Sequence, residues 1–276
     1  MTKKTIITLI FTGISILTYG QKSKGLTFGV NQFNKNFEIA EWLYEYDIIA
    51  WWTTDSAMVQ DKKEIKRLGQ EWFCFKDTNK IWHAVYGKFE NQQFDLVFHY
   101  SVDTSSKVRR IYDKVDSAFT NPYCRALQTS NKQLEKLRDT VKIRFNQYIR
   151  QNDDKTFTVC ILPAFQPNEV AIHGGQFIYQ IDETGTKILK DESYFQGKFK
   201  GFKVAEPREI WLDYTELQQP NLETIFFVWY YKKYFTFIKI ETKNYISTVM
   251  KNENNDYFWV HSEKDIDKNQ KKKKKN

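Results

Sequence analysis

The sequence predicts an α+β fold, built on antiparallel sheet with one long amphipathic helix near the middle. Three observations predict it. Residues 71–102 hold three strand-like runs separated by short polar turns, residues 121–152 repeat apolar positions at helical spacing, and most of the remainder returns to short β-rich runs.

The first residues are expected to leave before folding. Lys3 and Lys4 precede an uncharged apolar run over 5–19, and Thr18-Tyr19-Gly20 offers small residues before a cut between Gly20 and Gln21. The run is shorter than the roughly 20 residues a membrane-spanning helix needs. The expectation is a signal peptide over 1–20, a single α+β domain over 21–261, and a disordered lysine-rich tail over 262–276. A division of the domain near 118/119 is the alternative. The protein is then exported, periplasmic or extracellular, with no transmembrane segment in the mature chain.

The net charge of +8 is carried by the ends: without Lys3, Lys4 and the tail, the body is close to neutral. Lysine also far outnumbers arginine, the usual reader of phosphates and base edges, so nucleic acid is not an expected partner. Weak contact of Lys271 to Lys275 with anionic surfaces is the one partner the charge suggests. With 41 % hydrophobic and 17 % aromatic residues, the body has enough apolar area for a sizeable core. Cys74, Cys124 and Cys160 allow at most one disulfide, so the core must hold the fold.

In chain order, 36–44 reads as a short helix and 47–53, rich in strand formers, as a strand. Thr54 or Asp55 would cap a polar helix reaching Arg67. The meander follows, with strands over 71–76, 81–89 and 94–102, and with Phe94, Leu96, Phe98 and Tyr100 defining one face. Asn121-Pro122 opens the long helix, whose stripe is Leu127, Leu134, Leu137, Val141, Phe145 and Tyr148. Strands are expected over 156–162, 176–181, 186–190, 223–231, 234–241, 245–250 and 257–261. A loop holds His173-Gly174-Gly175, and a turn lies at Asp182 to Gly185.

The run Trp72-Phe73-Cys74-Phe75-Lys76-Asp77, with Trp82-His83-Ala84-Val85-Tyr86-Gly87, resembles a hairpin of uncharacterised exported bacterial proteins. Leu162-Pro163-Ala164, His173-Gly174-Gly175 and the stretch from Asp182 to Ile188 resemble the second half of the same proteins. The resemblance implies architecture and compartment, and no activity.

Standard catalytic motifs are absent: there is no phosphate loop, HExxH, CxxC pair, GxSxG or SxxK. No cofactor and no metal ligand set is expected. One constellation follows from register. A turn pairing Asp77 with Lys80 sets Cys74 opposite His83, and a three-residue turn at 90–92 sets His83 opposite His99. Opposed Cβ atoms lie about 5 Å apart, close enough for a thiol-imidazole pair or a metal- or thiol-dependent hydrolase. His173, Gly174 and Gly175 are candidate ligand-binding residues, because glycine lets backbone approach a ligand. Trp51, Trp52, Trp229, Tyr230 and Tyr231 could stack on sugars or peptides, with core packing the plainer expectation. Asp47, Asp55, Asp95 and Asp103 form no pair by sequence. The leading expectation is a binding or structural protein rather than an enzyme.

Overall fold

A computed structural model describes residues 28–113, 115–204 and 208–264. The expected signal peptide and most of the tail, including Lys271 to Lys275, lie outside the described residues. Thirteen strands form three sheets among these residues, and the class is α+β with antiparallel pairing dominant.

Helix α1 (Val30–Met58) and the short α2 (Lys62–Ile65) lead into an antiparallel meander of β1 (Glu71–Lys76), β2 (Trp82–Glu90), β3 (Gln93–Val102) and β4 (Val108–Ile111). Helices α3 (Ser117–Gln133) and α4 (Glu135–Thr140) follow. The second sheet orders β5 (Phe145–Gln151), β6 (Phe157–Pro163), β7 (Val170–Ile181) and β8 (Ile188–Asp191), with β9 (Tyr194–Lys203) also pairing β7. In the third sheet, β10 (Glu209–Tyr214) lies parallel to β11 (Phe237–Thr242), joined by helix α5 (Leu222–Tyr231). Antiparallel β12 (Tyr245–Lys251) and β13 (Tyr257–Glu263) complete it.

The long helix is α1, not 121–152. Ala40, Leu43, Tyr46, Asp47, Ala50, Thr53 and Ala57 are buried at steps of one, three and four residues, so 47–53 is helix despite its β-branched content. Asp61, whose side chain accepts from the Lys63 N–H, caps the next helix, rather than Thr54 or Asp55. The expected central helix breaks at Leu134. Its upstream part starts at Ser117, capped by Asp116, and carries Pro122 inside, while Phe145 and Tyr148 belong to β5. Residues 223–231, expected as a strand, are helical. Leu222 to Val228 are all buried, and such an all-round apolar run carries no period to separate helix from strand. The Asn221 carboxamide oxygen accepts from the Thr224 N–H and marks its start.

The first sheet has a helix on each side. Cys74, Ala84, Tyr86, Phe98 and Tyr100 pack with α1, while Phe73, Val85, Phe89 and Phe94 pack with α3 and one face of the second sheet. That second sheet gives its other face, Tyr148, Cys160 and Ile178, to the α1 side, and α5 joins there. Both cores draw residues from either side of 118/119. Cys74, Cys124 and Cys160 are all buried free thiols. Among the described residues, no helix is long and apolar enough to cross a membrane.

Helix α1 is fastened by hydroxyls. Tyr46, fully buried, accepts the Cys74 backbone N–H on its Oη at 2.8 Å, and Thr53 Oγ1 lies 2.7 Å from Tyr86 Oη. Replacing Tyr46 with Phe keeps the ring and strands a buried N–H. We expect Tyr46→Phe to lose about 1–3 kcal/mol in chemical denaturation, with Leu43→Ala losing about 2–5 kcal/mol. A Tyr46→Phe protein as stable as the parent would contradict this fastening.

Candidate functional site

The meander settles the Cys74, His83 and His99 row. Residues 77–81 form the first turn, with Lys80 at φ 62°, and the observed pairs are Cys74 with Ala84 and Phe75 with His83. This one-residue difference from the expected register reverses the face of every β1 side chain. Cys74 therefore points to α1, away from both histidines, and the three-residue row does not form.

The histidines do meet. The second turn is the two-residue Asn91-Gln92, both at positive φ as a type I′ hairpin requires, so Glu90 pairs with Gln93. A bulge then skips Val97, so the pairs run from Gly87 with Leu96 to Tyr86 with Phe98. A Cβ on Gly87 would sit 2.2 Å from the Asp95 carbonyl oxygen, so the bulge needs glycine there. The two one-residue differences add to two, and parity survives. His83 pairs with Ser101 and His99 with Val85, on one face, with His83 Nδ1 2.9 Å from His99 Nε2. The bulge also moves Phe94 and Phe98 to opposite faces, which ends the single face expected for β3.

Asp77 Oδ2 lies 3.6 Å from His83 Nε2, and the Phe75 ring stacks on His83 at 5.1 Å. Burial, then His83, pushes the His99 imidazole down to about 4. On the other face the Cys74 thiol is not activated: burial, with the Asp47 charge adding to it, pushes it well above its usual range. Among the described residues, no three His, Cys, Asp or Glu side chains are placed to hold a metal.

His173, Gly174 and Gly175 lie within β7 rather than in a loop, and His173 is fully buried. Gly174 has φ 125°, and a Cβ there would meet the Lys198 carbonyl at 2.5 Å, so the glycine serves the close crossing of β7 and β9. Tyr214 donates to Glu223 Oε2 at 2.7 Å, which spends its one proton. With Glu223 ionised, His173 Nδ1, at 3.0 Å, donates to the Tyr214 oxygen, and its Nε2 is buried without a partner. Glu223 Oε1 also accepts the Gly174 N–H at 3.1 Å. This network locks β7, β10 and α5 together.

An open cleft lies elsewhere, between α1 and α5. Its floor is Asp47, only 5 % exposed. Oδ1 accepts from Asn146 Nδ2 at 2.9 Å and Tyr148 Oη at 3.0 Å, and Oδ2 accepts from Tyr230 Oη at 2.7 Å. Burial raises the Asp47 carboxyl above its ordinary range, against the pull of those donors. A cavity of about 260 Å³ opens over this carboxylate, lined also by Trp51, Asp55, Phe165, Phe226 and Tyr231. A second, of about 530 Å³, shares Trp51, Asp55, Phe165, Tyr230 and Tyr231 with it and extends to Tyr44, Trp52, Lys233 and Tyr234. Trp51 is 57 % exposed and Trp52 38 %, while Trp229 and Tyr230 are half-buried, so core packing does not account for all the aromatics. Sequence reasoning missed the cleft because it set 47–53 on a strand. The helical step from Asp47 to Trp51 to Asp55 was the signal available.

The buried Glu223 gives a pH signature. Burial, opposed by its Tyr214 and Gly174 hydrogen bonds, raises its carboxyl from 4.5 to about 7. Between these values the folded chain holds more protons than the unfolded one, so this group's contribution to stability falls as pH rises through the window. Glu223→Gln keeps an acceptor for Gly174 and cannot ionise. Its stability relative to the parent should climb by about 1–3 kcal/mol from pH 4.5 to 7. A pH-independent difference in denaturation midpoints would contradict the assignment.

No protein-family model, no curated protein and no solved structure matches the chain.

Proposed function

We propose an exported binding protein that holds a small organic ligand in the cleft between α1 and α5. The observation that carries the reading is Trp51, exposed on α1, lining both adjoining cavities beside the buried Asp47 carboxylate. Concave, mostly apolar sites with a few fixed polar groups are the usual form of ligand pockets, and their volumes run from about 300 to 1,000 Å³. The two cavities together fall in that range. Export is supported by the lysine, apolar-run and small-residue order of 1–20, and by the resemblance to exported bacterial proteins.

The hydrolase alternative built on Cys74, His83 and His99 has less support, since its thiol lies on the other face of the sheet.

Ligand-observed NMR with a panel of neutral saccharides, short peptides and small amines tests the reading. At least one class should bind, and Trp51→Ala should abolish that signal while the chain keeps a cooperative unfolding transition. Binding untouched by Trp51→Ala, or no binding by any class, would overturn it.

A further inference from the structure

We propose that the smaller cavity takes an organic cation, a quaternary or methylated ammonium group. This rests on the reading of the cleft as a ligand site.

Charge is the first argument. The lining of this cavity includes the carboxylates of Asp47 and Asp55 and no lysine, arginine or histidine. Among the described residues no cation pairs with Asp47, so the charge buried there is balanced by hydroxyl and amide dipoles. A cationic group entering the cavity would supply the missing countercharge beside a carboxylate that is only 5 % exposed.

The hydrogen-bond inventory is the second. A carboxylate offers about four lone-pair sites, and the donors of Asn146, Tyr148 and Tyr230 occupy three of them. Asp47 keeps one acceptor site, on Oδ2, for a group that must donate, fewer than the several hydroxyls of a sugar or the three N–H groups of a primary ammonium call for. It can still act through its field. An alkylated ammonium, with no N–H or few, asks for that field and for aromatic rings, and Trp51, Phe165, Tyr230 and Tyr231 supply rings around the same space.

On the last turn of α5, the Lys232 ammonium already sits 3.8 Å from the Trp229 ring centroid, 5.0 Å from that of Tyr44 and 5.3 Å from that of Tyr257. That aromatic enclosure is filled by the chain's own cation. The one above Asp47 has the rings and, in addition, the negative charge. The outer cavity, with Trp52 and Tyr234 exposed at its rim, leaves room for whatever the ammonium is attached to.

The test compares choline and tetramethylammonium with the neutral carbon isostere of choline, by tryptophan fluorescence and NMR titration on the mature chain. Choline should bind with Kd at or below about 1 mM, and the isostere at least about tenfold more weakly. Asp47→Asn should weaken choline about tenfold and leave the isostere unchanged. Asp55→Asn, on the exposed face of α1, should weaken choline two- to threefold and guards against a folding defect in the first variant. Equal affinity for choline and its isostere would overturn the cation while leaving a ligand site in place. Saturable binding of a neutral saccharide with no choline binding would do the same. Loss of all ligands with an intact fold would remove the ligand site itself.

Discussion

Asp47 joins parts of the chain that lie far apart in sequence: from α1 it accepts hydrogen bonds from Asn146 and Tyr148 on β5 and from Tyr230 on α5. An ionised carboxylate taken out of water without a cation costs several kcal/mol. Hydrogen bonds to a charged group return about 1.5–3 kcal/mol each, so the position is tenable only while all the donors stay in place. The same requirement fixes where α5 and β5 stand relative to α1. The cleft between them is a consequence of how this one charge is solvated.

The rest of the fold supplies the rigid frame for that arrangement. Helix α1 packs along the first sheet through Leu43, Tyr46 and Ala50, and its Tyr46 and Thr53 hydroxyls reach Cys74 and Tyr86. The second sheet brings Tyr148 to the same side, with its ring edge-on to Tyr46 at 5.3 Å. On the far side, the His173, Tyr214 and Glu223 network holds the start of α5 against β7 and β10. Two buried carboxylates thus pin α5 near its two ends, Glu223 within its first turn and Asp47 through Tyr230.

How much of this was legible in the sequence depended on the kind of signal. Alternating apolar residues placed the meander strands almost to the residue, because one strand period and a polar turn are both local properties. Turn length was not legible to the same precision, and strand geometry converts a single residue into a change of face. The difference at 77–81 separated Cys74 from the histidines, whereas the differences at 91–92 and Val97 cancelled and kept His83 with His99. Helix and strand were confused where composition opposed packing, at 47–53, and where a segment is buried all round, at 222–231. Much of the cleft fell in those two segments, and Asn146 and Tyr148 fell in the expected long helix that is strand β5, so its residues were visible as aromatics and an aspartate but not as neighbours.

Asp47 is a buried carboxylate whose charge is balanced by dipoles, and the proposed cation would approach it through the cleft. Carboxyl carbon NMR of Asp47 across a pH titration, with and without tetramethylammonium, tests it most directly. Asp47 should titrate above the ordinary aspartate range in the free protein and shift downward when the ammonium is present. An Asp47 that titrates as an ordinary exposed aspartate, unmoved by the cation, would contradict it.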